Sequence, residues 1–245
     1  DVIIPPKGGH GYDIYNELGA YRVMIYSRFE TDPSNPELHG KKSKKPSTVK
    51  ITMGLKCNYA CSYCNQAHQP HDPVGGPEDA EELIQKIKNN FAFTTYDKFR
   101  LEFWGGEPMV YWKTLKPLAE KIRKVYPNAQ FMMVTNGSLL TREKIDWFNQ
   151  MGFSIGMSHD GPLHAQNRGP DPLDEPLAKD AVVYALKTMG QMRFTFNCVL
   201  TRENVSIPAV REFILEKLKL FSSSRETENF FRILTFTKNL LYYTL

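Results

Sequence analysis

Apolar residues in this 245-residue chain follow two alternating periods from residue 48 onward. Short runs rich in β-branched and aromatic residues indicate strands, and longer segments with apolar residues every three or four positions indicate amphipathic helices. The short runs predict strands at Thr48–Met53, Phe99–Trp104, Phe131–Thr135, Phe153–Ser158 and Phe194–Leu200. The longer segments predict helices at Glu78–Asn90, Trp112–Val125, Arg142–Met151, Ala178–Met192 and Pro208–Leu220.

Strands that alternate with helices predict right-handed βαβ units and a parallel sheet. With Phe230–Phe236 as a candidate sixth strand, the chain is predicted to be α/β, a partial parallel (β/α) barrel of about five to six βα units. In such barrels chemistry lies at the C-terminal ends of the strands. Each motif described below directly follows a predicted strand.

The same pattern divides the chain into three parts. Residues 1–46 are predicted to be an irregular N-terminal extension with one short strand at Tyr21–Tyr26. Residues 47–221 form the core, and residues 222–245 form a C-terminal tail that contains the candidate last strand. The lysine-rich run at 41–45 is interpreted as a solvated linker rather than as a contact for a phosphate-bearing partner.

Composition narrows the class of protein. Hydrophobic residues make up 41% and charged residues 24%, which is typical of a globular domain rather than of a disordered chain. The net charge of +4 is too small to predict a nucleic-acid partner. No apolar run reaches the length of a membrane span, and the N-terminus lacks the features of a signal peptide. We therefore expect a cytoplasmic protein without a membrane partner.

Three of the four cysteines, Cys57, Cys61 and Cys64, lie on one loop after the first strand of the core. Their spacing, Cys-x-x-x-Cys-x-x-Cys, indicates metal ligation, because thiolates suit zinc and iron–sulfur clusters. A structural zinc ion takes four protein ligands, so three cysteines favour a cluster with one open iron. A zinc site completed by His68 or His71 is the alternative. Cys198, inside a predicted strand, is interpreted as a small buried hydrophobe.

With the aromatic Tyr63 before the third cysteine, this loop resembles the signature of radical S-adenosylmethionine (SAM) enzymes, and the resemblance covers about residues 47–205. It implies that Cys57, Cys61 and Cys64 hold a [4Fe-4S] cluster. It further implies that the cluster reductively cleaves SAM to methionine and a 5′-deoxyadenosyl radical, which abstracts a substrate hydrogen. Tyr63 would then lie against the adenine.

The second strand of the core ends in Gly105-Gly106-Glu107-Pro108, similar to the GGEP motif of the same family. Glycines let a ligand approach the backbone closely. The resemblance implies that Gly105, Gly106 and Glu107 bind the SAM amino group, for which carbonyl and carboxylate oxygens are suitable acceptors. A plain Gly-Gly turn is the alternative.

Two further strand ends carry candidate residues. Asn136, after the third strand, is either near the cofactor or part of an Asn-Gly turn. Ser158-His159-Asp160-Gly161-Pro162 resembles the family's SxDGP motif, which implies that Ser158 contacts SAM and that Arg168 meets its carboxylate, although Arg168 lies closer to the motif than is common. Asp160 either contacts the cofactor or bonds backbone around its own turn. His159 is interpreted as structural rather than as an acid or base.

The combination of these motifs resembles anaerobic sulfatase-maturating enzymes and SPASM-type peptide maturases. It implies a peptide or protein substrate and an electron donor such as flavodoxin or ferredoxin. No cysteine follows Cys198, so we expect no auxiliary cluster within this chain, unlike in those relatives. Two other functions remain open at this point: a protein that binds the cluster and SAM without turnover, and a zinc-binding interaction module.

Overall fold

A computed structural model describes residues 2–4, 12–16, 19–23, 44–64, 76–189, 193–199, 201, 203–204, 206–218 and 234–237. The first strands, β1 (Val2–Ile4), β2 (Tyr12–Asn16) and β3 (Gly19–Val23), form an antiparallel sheet in that order. The predicted strand at Tyr21–Tyr26 overlaps β3 over residues 21–23. The sequence does not predict β1 and β2, which lie in a segment rich in Gly and Pro.

The second sheet contains six strands, and every neighbouring pair is parallel and consecutive in the chain. Its strands are β4 (Thr48–Thr52), β5 (Arg100–Trp104), β6 (Gln130–Thr135), β7 (Phe153–Ser158), β8 (Phe194–Val199) and β9 (Leu234–Thr237). The helices are α1 (Pro77–Asn90), α2 (Trp112–Val125), α3 (Arg142–Met151), α4 (His164–Asn167), α5 (Pro176–Thr188) and α6 (Ile207–Leu218).

The predicted fold class is confirmed: parallel strands alternate with helices in an α/β arrangement that is consistent with a partial barrel. The candidate sixth strand exists as β9, which pairs with β8. Helix α5 begins two residues before the predicted Ala178, because Pro176 is well placed in the first turn of a helix. The predicted ends of the last two helices, Met192 and Leu220, lie outside the described residues.

The hydrophobic core lies between the sheet and the helices. Residues at alternate positions of the strands, such as Val49, Leu101 and Phe103, are buried against apolar positions of the helices, such as Leu115 and Ile122. Burial of this alternating face fixes the register of each strand, because a slip of one residue would expose it. The strand ends are thereby held at one edge of the sheet.

The other face of the sheet is more open. Lys50, Thr52 and Trp104 are exposed there, and Ser158 and Asn197 are half-buried. On the described part of the chain, no helix is long and apolar enough to cross a membrane.

A cavity of about 770 Å³ lies at the N-terminal ends of the strands, opposite the predicted motifs. Arg123 and Arg193 line it, but both guanidinium groups donate hydrogen bonds to protein acceptors, including the carbonyls of Met151 and Met189. The two arginines at this end of the sheet therefore form hydrogen bonds with main-chain carbonyls of the chain itself.

Candidate functional site

The cysteine loop directly follows β4. Cys57, Cys61 and Cys64 are free thiols, and all three are half-buried. The Cys64 N–H donates to the Cys61 carbonyl at 3.0 Å, which closes a turn between the last two cysteines. The Tyr59 N–H points at the Cys57 sulfur at 3.3 Å. Backbone N–H groups aimed at sulfur stabilise thiolates, and hydrogen bonds to the sulfurs help to set the potential of iron–sulfur clusters.

Burial raises the pKa of the Cys57 thiol, and it likewise raises the pKa of Cys61. These thiols are therefore protonated at neutral pH without a metal. Since metals bind the thiolate, loading of this loop must release protons.

The glycine pair after β5 packs against the cysteine loop. The Gly106 N–H donates to the Gly54 carbonyl at 2.9 Å, and the Glu107 N–H donates to the Lys56 carbonyl at 3.0 Å. A Cβ atom on Gly106 would lie 2.4 Å from the carbonyl oxygen of Leu55, and one on Gly105 would lie 2.2 Å from that of Gly54. Both positions require glycine because the cysteine loop occupies the space of a side chain.

Glu107 is buried, and its carboxylate is engaged by the protein. It accepts hydrogen bonds from the Met109 N–H at 3.0 Å, the Thr135 hydroxyl at 2.7 Å and the Asn136 N–H at 2.7 Å. Burial raises the pKa of this carboxyl, and the three hydrogen bonds oppose that rise. Glu107 thus braces the end of β5 against the end of β6. The GGEP resemblance predicts this carboxylate at the SAM amino group, and no sequence pattern indicates its hydrogen bonds to Thr135 and Asn136.

Asn136 joins the end of β6 to the cysteine loop. Its amide nitrogen donates to Asn58 Oδ1 at 2.9 Å, and its amide oxygen accepts from the Ser138 N–H at 3.0 Å. The Asn136 side chain also lies beside the Cys57 thiol and lowers its pKa. Asn136 therefore forms the local turn and also lies beside Cys57, and its place near the cofactor stays a prediction.

The segment between β7 and α5 covers the cysteine loop at three points. The Tyr63 hydroxyl donates to Asp160 Oδ2 at 2.5 Å, and the Ser62 N–H donates to the Asn167 carbonyl at 2.8 Å. The Tyr59 hydroxyl donates to the Pro170 carbonyl at 2.5 Å. Residues about 100 apart in the chain are therefore held together around the cysteines.

Ser158 and Arg168 flank this segment. Ser158 ends β7 and is half-buried, and its hydroxyl makes no hydrogen bond to any residue that the structure describes. Arg168 is 8% exposed, and its Nε lies 3.0 Å from Asp160 Oδ2. Its guanidinium carbon lies 5.3 Å from the centre of the Tyr63 ring.

A second buried network lies behind this segment, and the sequence did not predict it. His159 Nδ1 accepts from the Gly161 N–H at 3.0 Å, so the ring is protonated at Nε2, which donates to Asp171 Oδ1 at 3.0 Å. The His164 ring lies 4.2 Å from the His159 ring, and burial together with His159 lowers the pKa of His164. This geometry supports the structural interpretation of His159. Its partner, Asp171, carries no motif that could have identified it.

Cys198 is fully buried in β8, and burial raises the pKa of its thiol to about 12. Its sulfur accepts a hydrogen bond from Asn204 Nδ2 at 3.4 Å. An inert thiol of this kind packs as a small hydrophobe, as the sequence predicts.

Within the described residues, no three His, Cys, Asp or Glu side chains are placed to share a single metal ion. His68 and His71, the candidate further zinc ligands, lie outside those residues. The donor set of three free thiols on one loop instead suits an iron–sulfur cluster, whose ligands bind different irons and are spread more widely.

The chain matches the Radical SAM superfamily over residues 51–173, which is half of its length and includes the cysteine loop, the glycine pair and Arg168. It therefore belongs to the radical SAM superfamily. Members use a [4Fe-4S] cluster and SAM, and both are cofactors of this chain.

Curated relatives are enzymes of several kinds. The chain is 25% identical over 215 residues to the radical SAM cyclopropyl synthase TigE of Paramaledivibacter caminithermalis, covering 79% of this chain and 42% of that protein. It is 29% identical over 174 residues to the GTP 3′,8-cyclase of Xanthomonas campestris, covering 67% of this chain and 50% of that protein. The chain thus spans half or less of the length of these relatives.

Solved structures agree with the fold. The sulfatase-maturating enzyme anSMEcpe with bound AdoMet superposes with a TM-score of 0.59 at 22% identity, covering 79% of this chain and 51% of that one. SuiB of Streptococcus suis bound to its precursor peptide SuiA gives a TM-score of 0.53 at 18% identity, covering 71% and 38%. These likenesses establish a common fold for the core.

Proposed function

We propose that this chain is a catalytic radical SAM enzyme that acts on a peptide or protein. The observation that carries the proposal is the meeting of three motifs at one edge of the parallel sheet. The glycine pair after β5 and the segment after β7 each make direct hydrogen bonds to the cysteine loop after β4. These contacts join separate chain segments around three free thiols.

In this proposal Cys57, Cys61 and Cys64 bind three irons of the cluster and leave the fourth iron for SAM. When bound, the cluster supplies the electron that cleaves SAM to methionine and a 5′-deoxyadenosyl radical, which abstracts a hydrogen from the substrate. The protein's own task is to bind and orient these groups and to exclude water and oxygen.

The remaining site residues bind SAM. Main-chain carbonyls around Gly105 and Gly106 accept hydrogen bonds from its ammonium group, because the carboxylate of Glu107 is already occupied by protein donors. Ser158, with a free hydroxyl among the described residues, and Arg168 bind the SAM carboxylate. Tyr63 lies against the adenine, and Asn136 orients the loop that holds Cys57.

The peptide class of substrate is supported by relatives. The chain is 27% identical over 125 residues, covering 48% of this chain, to the serine-type anaerobic sulfatase-maturating enzyme of Bacteroides thetaiotaomicron. Solved structures of the same fold are of anSMEcpe with a bound peptide and of SuiB with its precursor peptide. The likeness to a GTP 3′,8-cyclase makes a nucleotide the rival class. In either case an external electron donor such as flavodoxin or ferredoxin would reduce the cluster.

The test is anaerobic reconstitution with iron and sulfide, followed by chemical reduction with SAM present and detection of 5′-deoxyadenosine. We expect 5′-deoxyadenosine from the wild-type protein and none from Cys61→Ala, whereas Cys198→Ala should behave as the wild type. A protein that binds cluster and SAM but forms no 5′-deoxyadenosine would support the binding function and contradict ours.

Substrate class is tested by mass spectrometry of candidate peptides and of GTP after turnover. Deuterium transfer from a labelled peptide into 5′-deoxyadenosine would support the peptide class. Transfer from GTP instead would overturn it while leaving the radical SAM assignment intact.

A further inference from the structure

Asp160 is the point at which three separate parts of the site meet. Its side chain is fully buried. Oδ2 accepts from the Tyr63 hydroxyl at 2.5 Å and lies 3.0 Å from Arg168 Nε, while Oδ1 accepts from the Val199 N–H at 3.1 Å. The Asp160 carbonyl also accepts from Asn204 Nδ2 at 3.0 Å. One carboxylate thus joins the cysteine loop, the segment after β7 and the end of β8.

The negative charge of the Asp160 carboxylate is balanced by the positive charge of Arg168. A buried carboxylate is stable only when it is paired and hydrogen-bonded, and Asp160 has both kinds of partner. Burial by itself would lower the pKa of Arg168, but the Asp160 carboxylate together with Tyr63 and Cys61 outweighs burial and raises it. Arg168 is therefore a fixed cation beside the Tyr63 ring.

The position of Arg168 determines which nitrogens of its guanidinium group can bind a ligand. Its Nε lies 3.0 Å from Asp160 Oδ2 in an ion-pair contact, although Nε makes no hydrogen bond to a described residue. Among the described residues, no group accepts a hydrogen bond from its two terminal nitrogens. That end of a guanidinium can bind a carboxylate through two parallel hydrogen bonds. Asp160, in contrast, is fully buried, and the Tyr63 hydroxyl, Arg168 and the Val199 N–H already surround its carboxylate.

We propose that Asp160 is a positioning residue that aligns Arg168 and Tyr63 for SAM before SAM binds, and that it does not touch SAM itself. This inference rests on the proposed function, because it takes Arg168 as the partner of the SAM carboxylate. It assigns to Asp160 a link between the cluster loop and the SAM-binding arginine. Loss of its charge frees the guanidinium to rotate and releases the Tyr63 hydroxyl.

The test uses the anaerobically reconstituted protein and measures iron content, SAM affinity by calorimetry, and the change that SAM produces in the electron paramagnetic resonance spectrum of the reduced cluster. Asp160→Asn keeps the shape of the side chain and removes its charge. We expect full iron content with SAM affinity lowered about tenfold or more, the scale of a lost charge-assisted hydrogen bond. Asp171→Asn, in the buried network behind the same segment, is the matched control and should keep SAM affinity within about threefold.

A double-variant cycle separates positioning from general destabilisation. If Asp160 acts through Arg168, then Asp160→Asn combined with Arg168→Gln should bind SAM no more weakly than Arg168→Gln alone. Additive losses, or unchanged SAM affinity in Asp160→Asn with full iron content, would overturn the inference. If Asp160→Asn fails to take up iron, Tyr63→Phe replaces it, and unchanged SAM affinity there would likewise overturn the inference. Wild-type protein that holds a cluster but binds no SAM would instead refute the proposed function.

Discussion

At the scale of single residues, the four cysteines divide into two environments. Cys57, Cys61 and Cys64 are half-buried on a loop whose N–H groups reach sulfur, whereas Cys198 is enclosed in β8 with its pKa raised to about 12. Replacing any loop cysteine with Ala should abolish the broad iron–sulfur absorbance of the reconstituted protein, because each thiolate binds one iron. Cys198→Ala is the matched control and should keep the absorbance. Full iron content in Cys61→Ala, measured by colorimetric assay, would contradict the assignment.

Ser158 and Arg168 are predicted to act on the same ligand group with different costs to stability. Arg168→Ala leaves the buried Asp160 carboxylate without its cation, so we expect a loss of about 3–5 kcal/mol of unfolding free energy as well as weaker SAM binding. Ser158→Ala removes a hydroxyl without a partner among the described residues, so unfolding should change by less than about 0.5 kcal/mol while SAM affinity falls. Urea unfolding of the apo-protein and SAM titration of the loaded protein measure the two effects separately. Equal stability losses in both variants would show that Asp160 does not depend on Arg168.

At the scale of elements, the loops after β4 and β5 form one unit. Gly106 lies against the carbonyls of Leu55 and Lys56, at 2.4 and 2.5 Å from the position of an added Cβ. Gly106→Val should therefore displace the cysteine loop and lower iron uptake, in addition to weakening SAM binding. Gly152→Ala is a suitable control, because an added Cβ there meets only Arg123 at 3.8 Å, and its positive φ of 71° makes any strain local to the end of α3.

Iron content and SAM affinity after reconstitution measure this coupling. We expect both to fall in Gly106→Val and neither to change in Gly152→Ala beyond a loss of overall stability. Normal iron content in Gly106→Val would show that the cysteine loop can shift and still bind iron through its three cysteines.

The sequence predicted the elements well where one face is buried. Strands such as Phe153–Ser158 alternate clearly, because every second residue packs against helices, and this period is visible without a structure. Strands β1 and β2 were missed because they lie in a segment rich in Gly and Pro, which indicates irregular structure. The 3-10 turn Pro108–Tyr111 was also missed, since it is stabilised by the carboxylate of Glu107 and not by a helical pattern.

The site was predictable only where a motif is local. The cysteine loop, Gly105-Gly106 and the segment from Ser158 to Arg168 can be read from contiguous residues, and the structure brings them together. The partners of Asp160 and Glu107 could not be predicted, because each depends on residues about 30 to 100 positions away that meet only after the strands align. The same holds for the pairing of His159 with Asp171.

At the scale of the whole molecule, the parallel order of β4 to β9 places all the motifs at one edge of the sheet and leaves its other face open. The exposed Trp104 lies on that face directly before the glycine pair, where its indole N–H donates to Glu102 at 3.0 Å. A substrate that reaches the site across this face would pass beside Trp104. Among the described residues, the helix-packed face of the sheet thus carries the hydrophobic core, and the face that bears Trp104 is more exposed.

Stability of the whole apo-protein should depend on pH through the buried network of His159, His164 and Asp171. Burial and the neighbouring His159 lower the pKa of His164 below its ordinary value of 6.5. The unfolded chain therefore binds more protons than the folded one below pH 6.5, and the free energy of unfolding must fall as the pH decreases. The pKa of Asp171 is also lowered: burial alone would raise it, but the hydrogen bonds from His159 and the Leu173 N–H, together with the electrostatic effect of both histidines, outweigh burial. Its contribution has the same sign and is lost at more acidic pH.

Urea unfolding midpoints between pH 7.5 and 5 should decrease steadily in the wild type and more shallowly in His164→Asn, which cannot take up the proton. An equal slope in both proteins would show that the acid sensitivity arises elsewhere in the chain.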